Sequence, residues 1–97
     1  MAIGDLRVQG EMTIYRAGEL AQGLFTAVRE QSGDLHLDLS EVTEFDTAGL
    51  QILLMARHIA EARGARLDFV RASECVTDVL RLCNVADTVT PATGATA

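Results

Sequence analysis

Apolar and polar residues alternate near the start of the sequence. Residues 6–9 and residues 12–15 each alternate in this way, and Gly10 lies between them. Alternation with a period of two is typical of a strand that buries one face. This pattern predicts two short strands that form a hairpin at Gly10.

Helical spacing of apolar residues marks three later segments. They extend from Ala17 to about Gln31, from about Ala48 to Ala62, and from Ser73 to about Cys83. Residues 32–34 include a glycine and should end the first helix, and Gly64 should end the second in a left-handed conformation. Ser73 is expected to cap the third helix with its side chain.

Two further strands are predicted between these helices. Leu35, Leu37 and Leu39 occupy alternate positions, and residues 66–70 form the next apolar segment. We interpret residues 40–46 as an acidic loop. A strand, a helix and a strand in succession require parallel strands. The expected fold is α/β, with a four-stranded mixed β-sheet and helices mainly on one face, in the order β-β-α-β-α-β-α.

The chain is long enough for one hydrophobic core, since it has 97 residues. Residues 1–89 are expected to form a single domain. Residues 90–97 are small and include one proline and one glycine, so a flexible C-terminal tail is expected there.

Charge and cysteine content narrow the functional classes. The net charge of −6 argues against nucleic acid and against an anionic membrane surface as partners. No segment has the length or the flanking charges of a membrane span or leader, so no direct membrane insertion is expected. Cys75 and Cys83 lie too far apart on one predicted helix for a disulfide and are expected to be buried free thiols. These features predict a cytoplasmic protein.

The second predicted helix carries apolar residues outside the stripe that should face the sheet. At about 100° per residue, Leu50 and Leu54 lie roughly 90° or more from the centre of that stripe. They would either form an exposed contact surface that His58 extends, or pack under the first or third helix. The helical pattern favours neither interpretation.

Thr47 precedes this helix in a segment that has no other nucleophile and no cluster of metal ligands. Threonine and aspartate are both favoured at helix N-caps, so its hydroxyl is expected to cap the helix, to accept a phosphate, or to do each at different times. A phosphate would be tolerated there because free N–H groups and the helix dipole favour an anion. It would add about −1.5 to −2 charges to the surface.

An enzymatic interpretation would use the acids among residues 38–46 as a magnesium site or phosphoacceptor, as in response-regulator receivers. Such a receiver also requires a lysine, and the chain contains none. His36 and His58 have no second histidine or cysteine at metal-ligand spacing. We therefore expect a protein that is not an enzyme, with no catalytic residue, metal or cofactor.

The order of these elements, together with residues 35–40 and 42–50, resembles the signature of the STAS family. The most specific part is the motif Asp46-Thr47-Ala48-Gly49-Leu50, between a strand and an apolar helix. This family comprises the anti-sigma-factor antagonists of bacteria and their relatives. The resemblance covers nearly the whole chain except the tail.

The resemblance implies a non-catalytic module in which a cognate kinase phosphorylates Thr47. In the antagonist branch, the unmodified protein binds a Ser/Thr kinase that also acts as an anti-sigma factor, and a phosphatase resets the system. Asp46 would flank the acceptor, and Gly49 would let the partner's backbone approach closely. The expected partner-binding residues are Asp46, Ala48, Gly49, Leu50, Leu54 and His58.

Two other branches share the motif. They are STAS proteins of chemotaxis-type signalling systems and the small cytoplasmic subunit of bacterial phospholipid-transport ABC complexes. The alternative hypothesis is therefore a subunit that is bound constitutively to the ATPase of such a transporter. The sequence leaves the identity of the partner and the oligomeric state open.

Overall fold

Strands and helices alternate along residues 4–83, the part of the chain that this computed structural model describes. The elements are β1 (Gly4–Met12), α1 (Ala17–Glu30), β2 (Leu35–Phe45), α2 (Thr47–Ala62), β3 (Leu67–Val70) and α3 (Glu74–Leu82). The three predicted helices are confirmed, and the observed ends differ from the expected ones by no more than about one residue.

The sheet formed by the described residues is three-stranded and parallel, in the order β1-β2-β3. Leu6 lies beside Leu37, which in turn lies beside Phe69. A helix joins each pair of neighbouring strands, as parallel pairing requires. The α/β class is therefore confirmed. The expected four-stranded mixed sheet is wrong, within residues 4–83, in both the number and the direction of its strands.

β1 is one strand, so the hairpin expected at Gly10 does not form. Gly10 adopts a φ of +85°, a conformation that glycine tolerates because it has no Cβ. Pairing with β2 continues on both sides of this residue, from Gln9 to Glu11. The two alternating segments that suggested a hairpin are thus two parts of a single irregular strand.

β2 runs through the segment that was expected to be an acidic loop. Between the pairs Arg7–Asp38 and Gln9–Glu41, β1 advances by two residues and β2 by three. Such a bulge places an extra residue in one strand and breaks the period of two that identifies a strand in a sequence. Val42 returns to the core after the bulge and is 2% exposed.

All three helices pack into one core on the leucine-bearing face of the sheet. Successive residues of a strand face opposite sides, so His36 and Asp38 lie on the other, polar face. The main core residues are Leu35, Leu37, Leu39, Leu67 and Phe69 from the sheet and Val28, Leu53, Ala56, Val76 and Leu80 from the helices.

The helix ends differ in how far they follow the sequence-based expectation. Gly64 follows α2 with a φ of +78°, as expected for a left-handed end. Ser73 is the N-cap of α3, but its side chain makes no capping hydrogen bond, and its Oγ lies 3.4 Å from Cys75 Sγ instead.

Both cysteines are free, but Cys75 is half-buried and Cys83 is exposed, so the expectation of buried thiols is wrong for Cys83.

The expected domain limit at residue 89 and the tail at residues 90–97 lie outside the described part of the chain. Among residues 4–83, no helix combines the length and the apolar character needed to cross a membrane.

Asp38 is a buried carboxylate that ties the end of β3 to β2 on the polar face; it is 8% exposed. Its Oδ1 accepts hydrogen bonds from the backbone N and the Oγ of Ser40, at 2.8 and 2.7 Å, and its Oδ2 accepts one from Arg71 Nη1 at 2.9 Å. Burial alone would raise the pKa of Asp38. The hydrogen bonds from Ser40 and the guanidinium of Arg71 outweigh it, so the pKa of Asp38 lies below its ordinary value.

We predict that Asp38 contributes to acid unfolding. Because its folded-state pKa is lowered, its contribution to stability is complete above its unfolded-state pKa, about 4. It is lost as the pH falls through the lower folded-state pKa. Asp38→Asn should lower the free energy of unfolding at pH 7 by about 1–3 kcal/mol. It should also flatten the dependence of that free energy on pH below about 4.

Urea unfolding between neutral and acidic pH measures both effects. Asp78→Asn is the matched control, since Asp78 is exposed and pairs with Arg81 only at 3.9 Å. Equal pH dependence of unfolding in the Asp38 variant and the unsubstituted protein would refute this role.

Candidate functional site

Asp46 occupies the junction between β2 and α2 and is the N-cap of α2. Its backbone is extended, and its Oδ1 accepts hydrogen bonds from the backbone N of Ala48 at 2.9 Å and of Gly49 at 3.3 Å. These bonds satisfy two of the N–H groups that a helix start leaves without a partner. Asp46, rather than Thr47, therefore caps the helix.

The second carboxylate oxygen of Asp46 holds the segment between β1 and α1. Its Oδ2 accepts a hydrogen bond from the backbone N of Ile14 at 3.1 Å. The backbone N of Asp46 also donates to the carbonyl O of Met12 at 3.3 Å. One side chain thus fixes the start of α2 and the loop after β1 relative to each other.

Gly49 lets α2 lie directly against the end of β1. A Cβ at this position would lie 2.8 Å from Phe45 Cε1 and closer still to the carbonyl O of Met12. Gly49 is buried, so the close approach that it permits is to its own chain. The expectation that Gly49 opens space for a partner's backbone is not what this packing supports.

Thr47 is the first residue of α2 and is exposed to solvent. Because Asp46 makes the capping bonds, no hydrogen bond involving the Thr47 hydroxyl is found within the described residues. Ala48, the next residue of the motif, is half-buried. The hydroxyl is therefore accessible to a modifying enzyme, which is the first requirement of a phosphoacceptor.

The two off-stripe leucines of α2 have different environments. Leu50 is 8% exposed and belongs to the core, so of the two alternatives that the helical pattern left open it follows the packed one and does not form part of an exposed contact surface. α1 packs against α2, which is a second neighbour of this helix besides the sheet. Leu54 is 39% exposed and His58 is exposed, as the contact-surface interpretation expected.

Thr47, Leu54 and His58 form one exposed stripe along α2. Leu54 follows Thr47 by seven residues and His58 follows by eleven. At about 100° per residue, these offsets place the three side chains within about 20° of one direction. Thr47 and Leu54 are about 10 Å apart along the helix axis. A modification of Thr47 would therefore alter the same face that presents Leu54.

Two exposed residues beside this site were missed by the sequence analysis. Ile14 and Tyr15, at 68% and 90% exposure, lie in the loop that Asp46 anchors. The sequence pattern predicts that Ile14 lies in a strand, because it belongs to the alternating segment of residues 12–15. The bond between Ile14 and Asp46 joins residues 32 positions apart, and no local sequence pattern reports such a contact.

Among residues 4–83, no three or more histidine, cysteine, aspartate or glutamate side chains are grouped so that they could hold a metal ion. The site consists of an exposed hydroxyl, a capping carboxylate and exposed apolar side chains. Such a group of residues is suited to binding a protein and to being modified.

Comparison with known proteins identifies the fold and family. A family model described as "Mlab, STAS domain" matches residues 3–91. The chain belongs to the STAS family. The resemblance carried by the motif at residues 46–50 is therefore confirmed. No sequence among the curated proteins matches this STAS domain.

Two solved structures share the fold of this STAS domain. The anti-sigma factor antagonist SpoIIAA in its unphosphorylated form has a TM-score of 0.72 at 16% identity, covering 89% of this chain and 76% of that one. The STAS domain of the SulP transporter from Vibrio cholerae has a TM-score of 0.64 at 19% identity, covering 91% of this chain and 68% of that one. At these identities the likeness concerns the fold.

We predict that Asp46→Ala lowers the free energy of unfolding by about 1–2 kcal/mol, because it removes the N-cap of α2. It should also increase hydrogen exchange at the Ile14 amide, which loses its acceptor. Chemical denaturation and amide exchange measure these changes. Ser73→Ala is the control, since Ser73 is an N-cap whose side chain makes no capping bond, and it should cost less than about 0.5 kcal/mol. Equal losses in the two variants would contradict this assignment.

A second prediction concerns the close contact at Gly49. Gly49→Ala should destabilise the STAS domain by about 1–3 kcal/mol, because the added methyl group overlaps Met12 and Phe45. Gly23→Ala in α1 is the matched control, since apart from its chain neighbours and the nearby backbone of α1 no atom lies within 4 Å of a Cβ there, and it should stabilise the domain by about 0.5–1 kcal/mol. Thermal unfolding of both variants decides the question, and a stabilising Gly49→Ala would refute the packing argument.

Proposed function

We propose that this STAS domain is a non-catalytic interaction module whose partner binding is controlled by phosphorylation of Thr47. The observation that carries the proposal is the exposed Thr47 hydroxyl, which Asp46 leaves uncommitted by capping the helix itself. The fold shared with an anti-sigma factor antagonist supports a regulatory role.

The proposed contact surface combines two segments of the chain. Leu54 and His58 extend from Thr47 along α2, and Ile14 and Tyr15 lie in the loop tied to Asp46. Exposed apolar side chains of this size favour a protein partner, because covering them removes apolar area from water. Leu50, Ala48 and Gly49 support this surface from the inner side of the helix start rather than meeting the partner directly.

A phosphate on Thr47 would act on this surface in two ways. It would place about −1.5 to −2 charges beside Asp46, where a partner carboxylate at 4 Å would lose about 4 kcal/mol at an effective dielectric constant of 20. That energy corresponds to roughly a thousandfold in affinity. The phosphate would also compete with the Asp46 carboxylate for the N–H groups of Ala48 and Gly49 and weaken the anchor of the Ile14 loop.

The partner in this proposal is a Ser/Thr kinase that also acts as an anti-sigma factor, or a related signalling protein, with a phosphatase that resets the system. The setting is a bacterial cytoplasm. A helix start tolerates an added phosphate, so the modification changes the surface while the fold is preserved.

A second candidate function is a STAS subunit that is bound permanently to the ATPase of a phospholipid-transport ABC complex. The fold shared with the STAS domain of a SulP transporter favours a link to transport. In this case Thr47 carries no phosphate, and the exposed stripe of α2 is always covered. The genes beside this one separate the two functions, since they would encode either a kinase and phosphatase or a transporter.

We predict that Thr47→Glu weakens binding of the kinase partner about tenfold or more while leaving the fold intact, because it adds negative charge at the contact. Thr47→Ala should bind normally and escape control by the kinase. The matched control is Thr26→Glu, which makes the same change at an exposed threonine of α1 and should leave the affinity within about twofold.

The test begins with the neighbouring genes: a Ser/Thr kinase encoded there is the enzyme to use, and a transporter in its place would favour the permanent subunit. Incubation of the STAS domain with that kinase and ATP, followed by mass spectrometry, should locate phosphate on Thr47, and calorimetry should give the affinities of the variants. Phosphate found only on other residues would remove Thr47 as the acceptor. Unchanged affinity of Thr47→Glu would remove the charge mechanism and leave the permanent subunit.

A further inference from the structure

A groove on the polar face of the sheet gathers two arginines around one buried carboxylate. It has a volume of about 620 Å³ and is lined by Arg7, His36, Asp38, Val70 and Arg71, among others. This face is opposite the leucine-bearing core, and the groove shares no lining residue with the stripe of α2. The size is within the range of small-molecule sites, about 300–1,000 Å³.

The register of the sheet brings the lining residues together. Arg7 in β1 lies beside Asp38 in β2, which lies beside Val70 in β3. Arg71 then follows with a φ of +51°, a left-handed conformation that is uncommon for a residue with a side chain. Its guanidinium reaches Asp38 in this conformation, with Nη1 at 2.9 Å from Oδ2.

Asp38 positions the arginines while using little of their hydrogen-bonding capacity. Its Oδ1 is fully engaged by the two donors of Ser40, and its Oδ2 accepts a single hydrogen bond from Arg71. Arg7 Nε lies 3.9 Å from Oδ2, an ion-pair distance at which no hydrogen bond forms. The Arg7 and Arg71 side chains are 57% and 55% exposed, so most of their N–H groups face the groove or solvent.

Exposed guanidinium N–H groups are what the groove offers to an anion. Arg7 and Arg71 supply two positive charges, and Asp38 and Asp5, which both line the groove, supply two negative ones, so the site depends on the placement of the arginines and not on net charge. The Asp5 side chain is 84% exposed, and its carboxylate lies 3.8 Å from His36 Nδ1. Forked guanidinium groups match the spacing of phosphate oxygens. Val70 is apolar but only 5% exposed, so it adds little apolar surface to the groove.

We propose that this groove binds a small phosphate monoester, with Arg7 and Arg71 holding the phosphate and Asp38 positioning Arg71. The ligand oxygens accept hydrogen bonds from the N–H groups that Asp38 leaves free. The organic group occupies the rest of the groove, since a volume of about 620 Å³ is larger than a phosphate group needs. This binding is independent of Thr47 and does not rest on the function proposed above.

The experiment is an NMR titration of the whole chain at constant ionic strength. Inorganic phosphate and phenyl phosphate are the probes, and chloride is the reference anion. We expect saturable amide shifts centred on residues 7, 36, 38 and 71, with tighter binding of phenyl phosphate. Shifts that do not saturate, or that spread over the surface, would overturn the site. Equal or weaker binding of phenyl phosphate than of phosphate would overturn the assignment of an ester.

Substitution at Arg7 tests the role of the arginines. Arg7→Gln should raise the dissociation constant about tenfold or more, because it removes a charged donor that the fold does not use for a hydrogen bond. Arg66→Gln is the charge-matched control, since Arg66 pairs with Asp68 at 3.3 Å outside the groove, and it should change the constant less than about twofold. Equal effects of the two variants would refute the proposal.

Arg7→Lys separates binding from folding. This substitution keeps the positive charge and should preserve the melting temperature. Because it removes the guanidinium fork, it should still weaken the binding of phenyl phosphate at least about threefold. Unchanged affinity of Arg7→Lys for phenyl phosphate would show that only the charge at residue 7 contributes. It would overturn the proposal that the guanidinium fork of Arg7 binds the phosphate oxygens.

Discussion

The carboxylate of Asp46 is the interaction on which the site depends. Oδ1 caps α2 and Oδ2 holds the Ile14 amide, so one side chain fixes two segments that are far apart in sequence. Without these bonds, the free N–H groups of the helix start would require another acceptor. Because Asp46 makes the bonds itself, they do not engage the exposed Thr47 hydroxyl. The capping role of Asp46 thus leaves the hydroxyl of Thr47 available for modification.

The parallel sheet decides where this junction and the polar groove lie. Helices connect the strands and pack on the leucine-bearing face, and the opposite face keeps its charged residues in register. α2 begins where β2 ends, so Thr47 lies at the carboxyl end of the central strand, the edge at which open α/β sheets place their sites. Arg7 and Asp38 meet on the other face because adjacent parallel strands align them. The STAS fold therefore offers two separate surfaces.

The proposed regulation combines a change of charge with a local loosening of the Ile14 loop, while the core keeps its packing. Gly49 allows α2 to lie against Met12, and the buried side chain of Leu50 packs the start of this helix into the core. A phosphate on Thr47 would therefore act on the surface while this packing is preserved. Leu54 and His58 are exposed on the same face of α2 as Thr47, and Ile14 and Tyr15 are exposed in the loop tied to Asp46. A permanent subunit of a transporter would use the same frame, and phosphate on Thr47 is what distinguishes the two functions.

The sequence by itself determined the three helices, the α/β class, the family motif and the position of Thr47, because apolar periodicity and capping residues are local signals. Tertiary structure decided the rest. The second half of β2 shows no strand pattern in the sequence, because the extra residue of each bulge breaks the period of two. The assembled core buries Leu50, which a single helical wheel left undecided. Ile14 joined the site only through Asp46, because a contact across 32 residues depends on the folded arrangement of β1 and β2.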